Sequence, residues 1–70
     1  MKILWSTHAL EKADSVGIEI KEIETIIRQG MKWKERKNKW HANMHGYEVV
    51  FEEMEGILYV ITVYPTEAPK

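Results

Sequence analysis

Apolar residues along this chain change their spacing at Gly30: helical before it, every second residue after it. Ser6 or Thr7 can cap a helix over roughly residues 7 to 14, with Ala9, Leu10 and Ala13 as its apolar side. Gly17 interrupts the pattern. A second helix is expected to start at Glu19, with Ile18 and Ile23 at hydrophobic-staple spacing and Glu22 at the third helical position. Ile20, Ile23, Ile26 and Ile27 trace one helical stripe, and Gly30 is expected to stop it at C′. Beyond Gly30, Met31 and Trp33 alternate with Lys32 and Lys34. Trp40, Ala42 and Met44 alternate with Lys39, His41, Asn43 and His45. Arg36 to Lys39 reads as the turn between these strands, with Asn38 at positive φ. Gly46 ends the second of them, Tyr47 to Glu53 alternates again, and Glu55-Gly56 is a tight turn. Ile57 to Tyr64 is apolar on both faces, the mark of the central, most buried strand, flanked on both sides. Pro65 ends that strand and residues 66–70 read as a tail.

The architecture this implies is α+β, with two N-terminal helices packed on a three- to four-stranded antiparallel sheet in a single domain, 1–70. Ile3-Leu4-Trp5 reads as an edge strand or a lead-in. Trp5, Trp33 and Trp40 are the expected large core or groove residues.

Seventy residues bury only about 60% of their extended surface, so the core is small. Cysteine is absent, which excludes disulfides and thiolate metal sites and leaves packing, a homodimer or a partner chain to add stability. Abundant Ile, Glu and Lys with few Asn and Gln lean towards a thermophilic source. The apolar run at the N-terminus is too short for a signal peptide, and no stretch approaches a membrane span. The expectation is a cytoplasmic protein without a membrane partner.

Net charge is −1, but it is unevenly placed. Residues 28 to 45 hold Arg28, Lys32, Lys34, Arg36, Lys37 and Lys39 against Glu35 alone, a local +5; the rest carries −6. A basic face of this kind suits a polyanion or an acidic protein, and Lys32, Lys34, Arg36 and Lys39 are the candidate phosphate contacts for RNA.

Three histidines bear on chemistry. His8 lies in the first turn of helix one, with Lys12 four residues on and on the same helical face. The helix dipole there disfavours imidazolium, leaving a neutral base. His41 and His45 have a zinc-like spacing only on a helix; on a strand they stand about 13 Å apart, at ~3.3 Å per residue, so no metal site or cofactor is expected. They read instead as part of a polar row with Lys39 and Asn43. Tyr64, at the end of the last strand, can donate from a cleft edge.

His8-Ala9 on helix one, Gly17-Ile18 opening helix two, Ile26-Ile27 before Gly30, and Thr62-Val63-Tyr64-Pro65 closing the last strand resemble a widespread domain-of-unknown-function family allied to the RelE/ParE and BrnT toxin-like group. The resemblance runs through nearly the whole chain in order and spacing. It implies a RelE-like fold and, as the function, a toxin-like RNA-interacting protein, a metal-independent ribonuclease of a toxin–antitoxin pair with a cognate antitoxin-like partner. The alternative is a non-catalytic binding module, for nucleic acid or protein, on the same fold. On the first reading His8 is the base or acid, Lys12 and Lys39 stabilise charge, and Tyr64 or His41 is the opposite acid, with His8, Lys12 and Tyr64 lining one cleft. The chain departs from the family pattern at Lys12, Val16 and Glu19, where Arg, Arg and Ser are usual.

Overall fold

A short strand, β1 (Lys2–Trp5), leads into two helices, α1 (Thr7–Val16) and α2 (Ile20–Gln29). The meander β2 (Met31–Arg36), β3 (Lys39–Met44), β4 (Tyr47–Met54) and β5 (Ile57–Pro65) follows. The structure, a computed structural model, describes residues 2–66. Of the tail expected over 66–70, Thr66 alone is described, its amide donating to the Gly46 carbonyl at 2.8 Å; residues 67–70 lie outside. The strands form one sheet in the order β1-β5-β4-β3-β2. The α+β class with N-terminal helices is observed, but the sheet has five strands and is mixed, because β1 pairs with β5 in parallel, from Lys2↔Ile57 to Trp5↔Val60. That pairing occupies backbone groups of β5 that a four-stranded sheet would leave open. β5 is flanked on both sides only over residues 57–60, since β1 stops there and β4 alone pairs with residues 62–65; the central strand is β4, not β5 as expected.

Ser6 starts α1: its hydroxyl accepts from the Ala9 amide at 2.9 Å and donates to the Ile61 carbonyl at 2.9 Å. Gly17 ends it at φ 79, a left-handed conformation that an L side chain resists. Ala9 and Ala13 are buried as expected, whereas Leu10 sits on the outer flank, exposed. Ile18 and Ile23 are both buried, as a staple requires, and Ile26 and Ile27 complete the stripe; Ile20 is left at its exposed rim. Gly30 closes α2 for a different reason from the one expected. Its φ is −72, so no left-handed turn is involved. A Cβ there would lie 2.6 Å from the Ile26 carbonyl oxygen and 2.8 Å from that of Asn43, so the residue lets the helix end approach β3.

Both helices cover the same face of the sheet. Ile23, Ile26, Ala42, Val49, Phe51, Val60 and Val63 form the core there, with Trp5 and Trp40 packed against it. Among the described residues no helix covers the other face. β5 changes its inward set part-way along. The register passes from Phe51↔Val60 to Val50↔Thr62, which makes Ile61 an extra residue in a β-bulge. Leu58 and Val60 point inward before the bulge and Val63 after it. The run read as apolar on both faces therefore owes part of its look to the bulge and part to Ile57 and Tyr59, which are exposed.

β2 reverses the alternation expected of it. Lys32 and Lys34 pair with Ala42 and Trp40 on the helix side, while Trp33 pairs with His41 on the helix-free side. Lys32 Nζ donates to the Ile27 and Arg28 carbonyls at 2.9 and 3.0 Å, closing the C-terminus of α2. The Lys34 ammonium lies 5.5 Å from the Trp40 ring centroid. Two lysine stems thus cover the rim of the core that an edge strand leaves open.

Candidate functional site

The helix-free face gathers most of the polar chemistry. Strand alternation points Lys39, His41 and Asn43 of β3 to that side, and the register places Glu48 of β4 opposite Asn43. Tyr64 stands opposite Glu48. Strict alternation from the inward Val60 would have turned Tyr64 into the core; the extra residue at Ile61 turns it outward. A second register shift, between Lys34 and Arg36, leaves Glu35 outside the ladder and able to lean over His41.

The result is a hydrogen-bonded file. Tyr64 donates from its hydroxyl to Glu48 Oε2 at 2.5 Å. The same oxygen lies 2.7 Å from His41 Nδ1, and His41 Nε2 lies 2.6 Å from Glu35 Oε1. Lys39 Nζ is 3.6 Å from Glu35 Oε1. Trp33 stacks on His41, with centroids 5.2 Å apart and planes 7° from parallel. Two ionised carboxylates can accept from both ring nitrogens only if both carry hydrogen, so the arrangement is that of an imidazolium between two carboxylates.

The same contacts set the ionisation of each group. Burial works to lower the His41 pKa, but hydrogen bonds to Glu35 and Glu48 outweigh it and raise the pKa above 6.5. The hydrogen bond from His41, chiefly, lowers the Glu35 carboxyl below its ordinary value. Burial opposes ionisation of Glu48, yet Tyr64 and His41 donate to it and its pKa is lowered. Tyr64 is pushed up to about 12, first by its bond to the Glu48 carboxylate and then by burial. Carboxylates lowered and an imidazole raised are what mutually stabilising ion pairs produce. Glu48 and His41 are well covered, whereas the Glu35 side chain is 42% exposed and forms the accessible end of the file.

Of the residues expected from sequence, His41 and Tyr64 meet through Glu48. His8 and Lys12 do not join them. They lie on α1, which packs on the inner face of β5 through Ala9 and Ala13, and the sheet stands between that helix and the Tyr64 hydroxyl. The expected cleft of His8, Lys12 and Tyr64 is therefore not formed. The basic residues divide as well: Lys32 and Lys34 on the helix side, Lys39 and its cross-strand partner Arg36 on the other. They do not make one continuous surface. His45 leaves the polar row because it occupies the β3–β4 turn, at φ 56. Periodicity and residue type assign no site role to Glu35 or Glu48, and Trp33, expected as a core or groove residue, is instead 41% exposed beside His41 on the helix-free face. A two-residue turn at His45-Gly46 pairs Asn43 with Glu48 by counting alone, so Glu48 was within reach; its contact with Tyr64 depends on the bulge. At the other end of this face, Glu52, Met54, Glu55, Ile57 and Tyr59 line a shallow, largely apolar hollow of about 370 Å³.

Comparisons of the chain with protein-family models, curated proteins and solved structures gave no significant match.

Proposed function

We propose that the helix-free sheet face binds RNA and cleaves it by metal-independent acid–base chemistry, with Glu35 accepting a proton and His41 donating one. The observation that carries this reading is the file Tyr64–Glu48–His41–Glu35, in which a phenol-anchored carboxylate holds an imidazolium whose second nitrogen faces the accessible end. Such cleavage needs a base for the 2′-hydroxyl, a cation for the phosphorane and an acid for the leaving 5′-oxygen. A phosphodiester that displaces the Glu35–His41 hydrogen bond and parts the two side chains would meet all of them. Glu35 takes the 2′ proton as the O2′–P bond forms, and His41 gives its Nε2 proton to O5′ as the P–O5′ bond breaks. Lys39 faces the non-bridging oxygens. The products are a 2′,3′-cyclic phosphate and a 5′-hydroxyl, and solvent carries the proton from Glu35 back to His41. Glu48 and Tyr64 are positioning residues that fix the imidazole's orientation and hold its proton. A cognate antitoxin-like protein belongs with this reading only through the family resemblance.

The test is cleavage of a fluorescent oligoribonucleotide in EDTA. Glu35→Gln and His41→Ala are each expected to slow it by roughly 10²- to 10⁴-fold, the range of general acid–base catalysis. Since Glu35 must be ionised and His41 protonated, the rate should plateau from below pH 4.5 to above pH 6.5. Absent cleavage, or cleavage indifferent to both substitutions, would falsify the catalytic reading. A non-catalytic binding module, alone or as a homodimer, is favoured by one observation: both ring nitrogens of His41 are already engaged. That reading expects RNA affinity without turnover.

A further inference from the structure

Trp33 stands beside the proposed acid on β2, the edge strand of the sheet. One face of its indole covers His41, at 5.2 Å between centroids. The residue is nonetheless 41% exposed, and no strand lies beyond β2 among the described residues, so the opposite ring face is turned to solvent. Met31, two residues along the same side of β2, is 75% exposed. The inward lysines already guard this edge against pairing with another strand, and edge protection does not call for an aromatic. Resting on the RNA reading above, we propose that the free face of Trp33 is a stacking platform for one unpaired nucleobase, which makes single-stranded RNA the substrate class. A base laid there extends the Trp33–His41 stack and brings its phosphodiester over Glu35, His41 and Lys39. Bases inside a duplex have both faces covered by their neighbours and offer nothing to such a platform, whereas a single strand offers every base.

The probe is a fluorescein-labelled 2′-O-methyl oligouridylate, which lacks the attacking hydroxyl and so separates binding from cleavage. Its affinity is measured by anisotropy for the full chain and for Trp33→Phe and Trp33→Leu. Trp33→Leu is expected to weaken binding roughly 5- to 100-fold, the worth of one stacked base, while Trp33→Phe stays close to wild type. A 2′-O-methyl duplex of the same length should bind the wild type less tightly than the single strand does. Equal loss in the Phe and Leu variants, affinity of the Leu variant within twofold of wild type, no binding by the wild type, or no preference for the single strand would each overturn the platform. The two readings fail separately. Cleavage with an unchanged KM in Trp33→Leu removes the platform and leaves the ribonuclease; Trp33-dependent binding without turnover does the reverse.

Discussion

His41 is held by carboxylates on both ring nitrogens, and its protonation is therefore coupled to folding. Its folded pKa lies above 6.5, so the stability it adds is complete below that value and is lost as pH rises through the folded pKa. Glu48 works in the opposite sense: its pKa is below 4.5, and its contribution is present above 4.5 and lost as pH falls through the folded value. The difference in melting temperature between wild type and His41→Ala should accordingly be largest between about pH 4.5 and 6.5 and shrink at higher pH. A difference that stays constant from pH 5 to 9 would show that the imidazole is not charged in the folded state. Tyr64 can be followed by ultraviolet absorbance, as one phenol ionising near pH 12. Glu48→Gln should bring that step back towards 10, since the carboxylate is the main cause of the rise. His8 lies across the sheet from this file, so on the proposed ribonuclease reading His8→Ala is expected to leave cleavage as fast as in the wild type.

Among the elements, the bulge in β5 decides most about the site. It frees the Ile61 carbonyl from strand pairing, and Ser6 supplies the missing donor while capping α1 with the same oxygen. Ser6→Ala removes both bonds and should cost about 1–3 kcal/mol in urea denaturation, the sum of a lost cap and an unsatisfied carbonyl. A loss below half a kcal/mol, on the order of a neutral surface change, would mean that water replaces the hydroxyl at both ends. The junction of α2 with β3 is tighter. Gly30→Ala drives a methyl into two backbone carbonyls that cannot rotate away, and should destabilise the fold by about 1–3 kcal/mol despite its ordinary φ. Wild-type stability in that variant would show that the helix end can retreat from Asn43.

For the molecule as a whole, the sheet divides the basic segment. Four cations of the β2–β3 hairpin were expected on one phosphate-binding surface, but Lys32 and Lys34 attend to the helix end and Trp40, leaving Arg36 and Lys39 beside the site. On the proposed RNA-binding reading, association should thus release few counterions. With about two phosphates neutralised, log K should fall with log salt at a slope of about −1.4 for a single strand, shallow for a nucleic-acid-binding protein. Lys39→Ala should lower both affinity and slope, and Lys34→Ala should change neither. Equal effects from the two would place the RNA around the edge of β2 instead of on the open face.

Periodicity and turn chemistry are local properties, and by them the sequence determined both helices, the alternating meander, the positive φ of Asn38 and the buried staple of Ile18 and Ile23. His41 and Tyr64 were legible as reactive side chains for the same reason: their type and strand position are written locally. What joins them was not. The parallel docking of β1, the side to which β2 turns its tryptophan, and the extra residue that aims Tyr64 at Glu48 depend on contacts between segments distant in the chain. A one-residue shift of register reverses the face of every side chain beyond it, and only the packed sheet fixes that register.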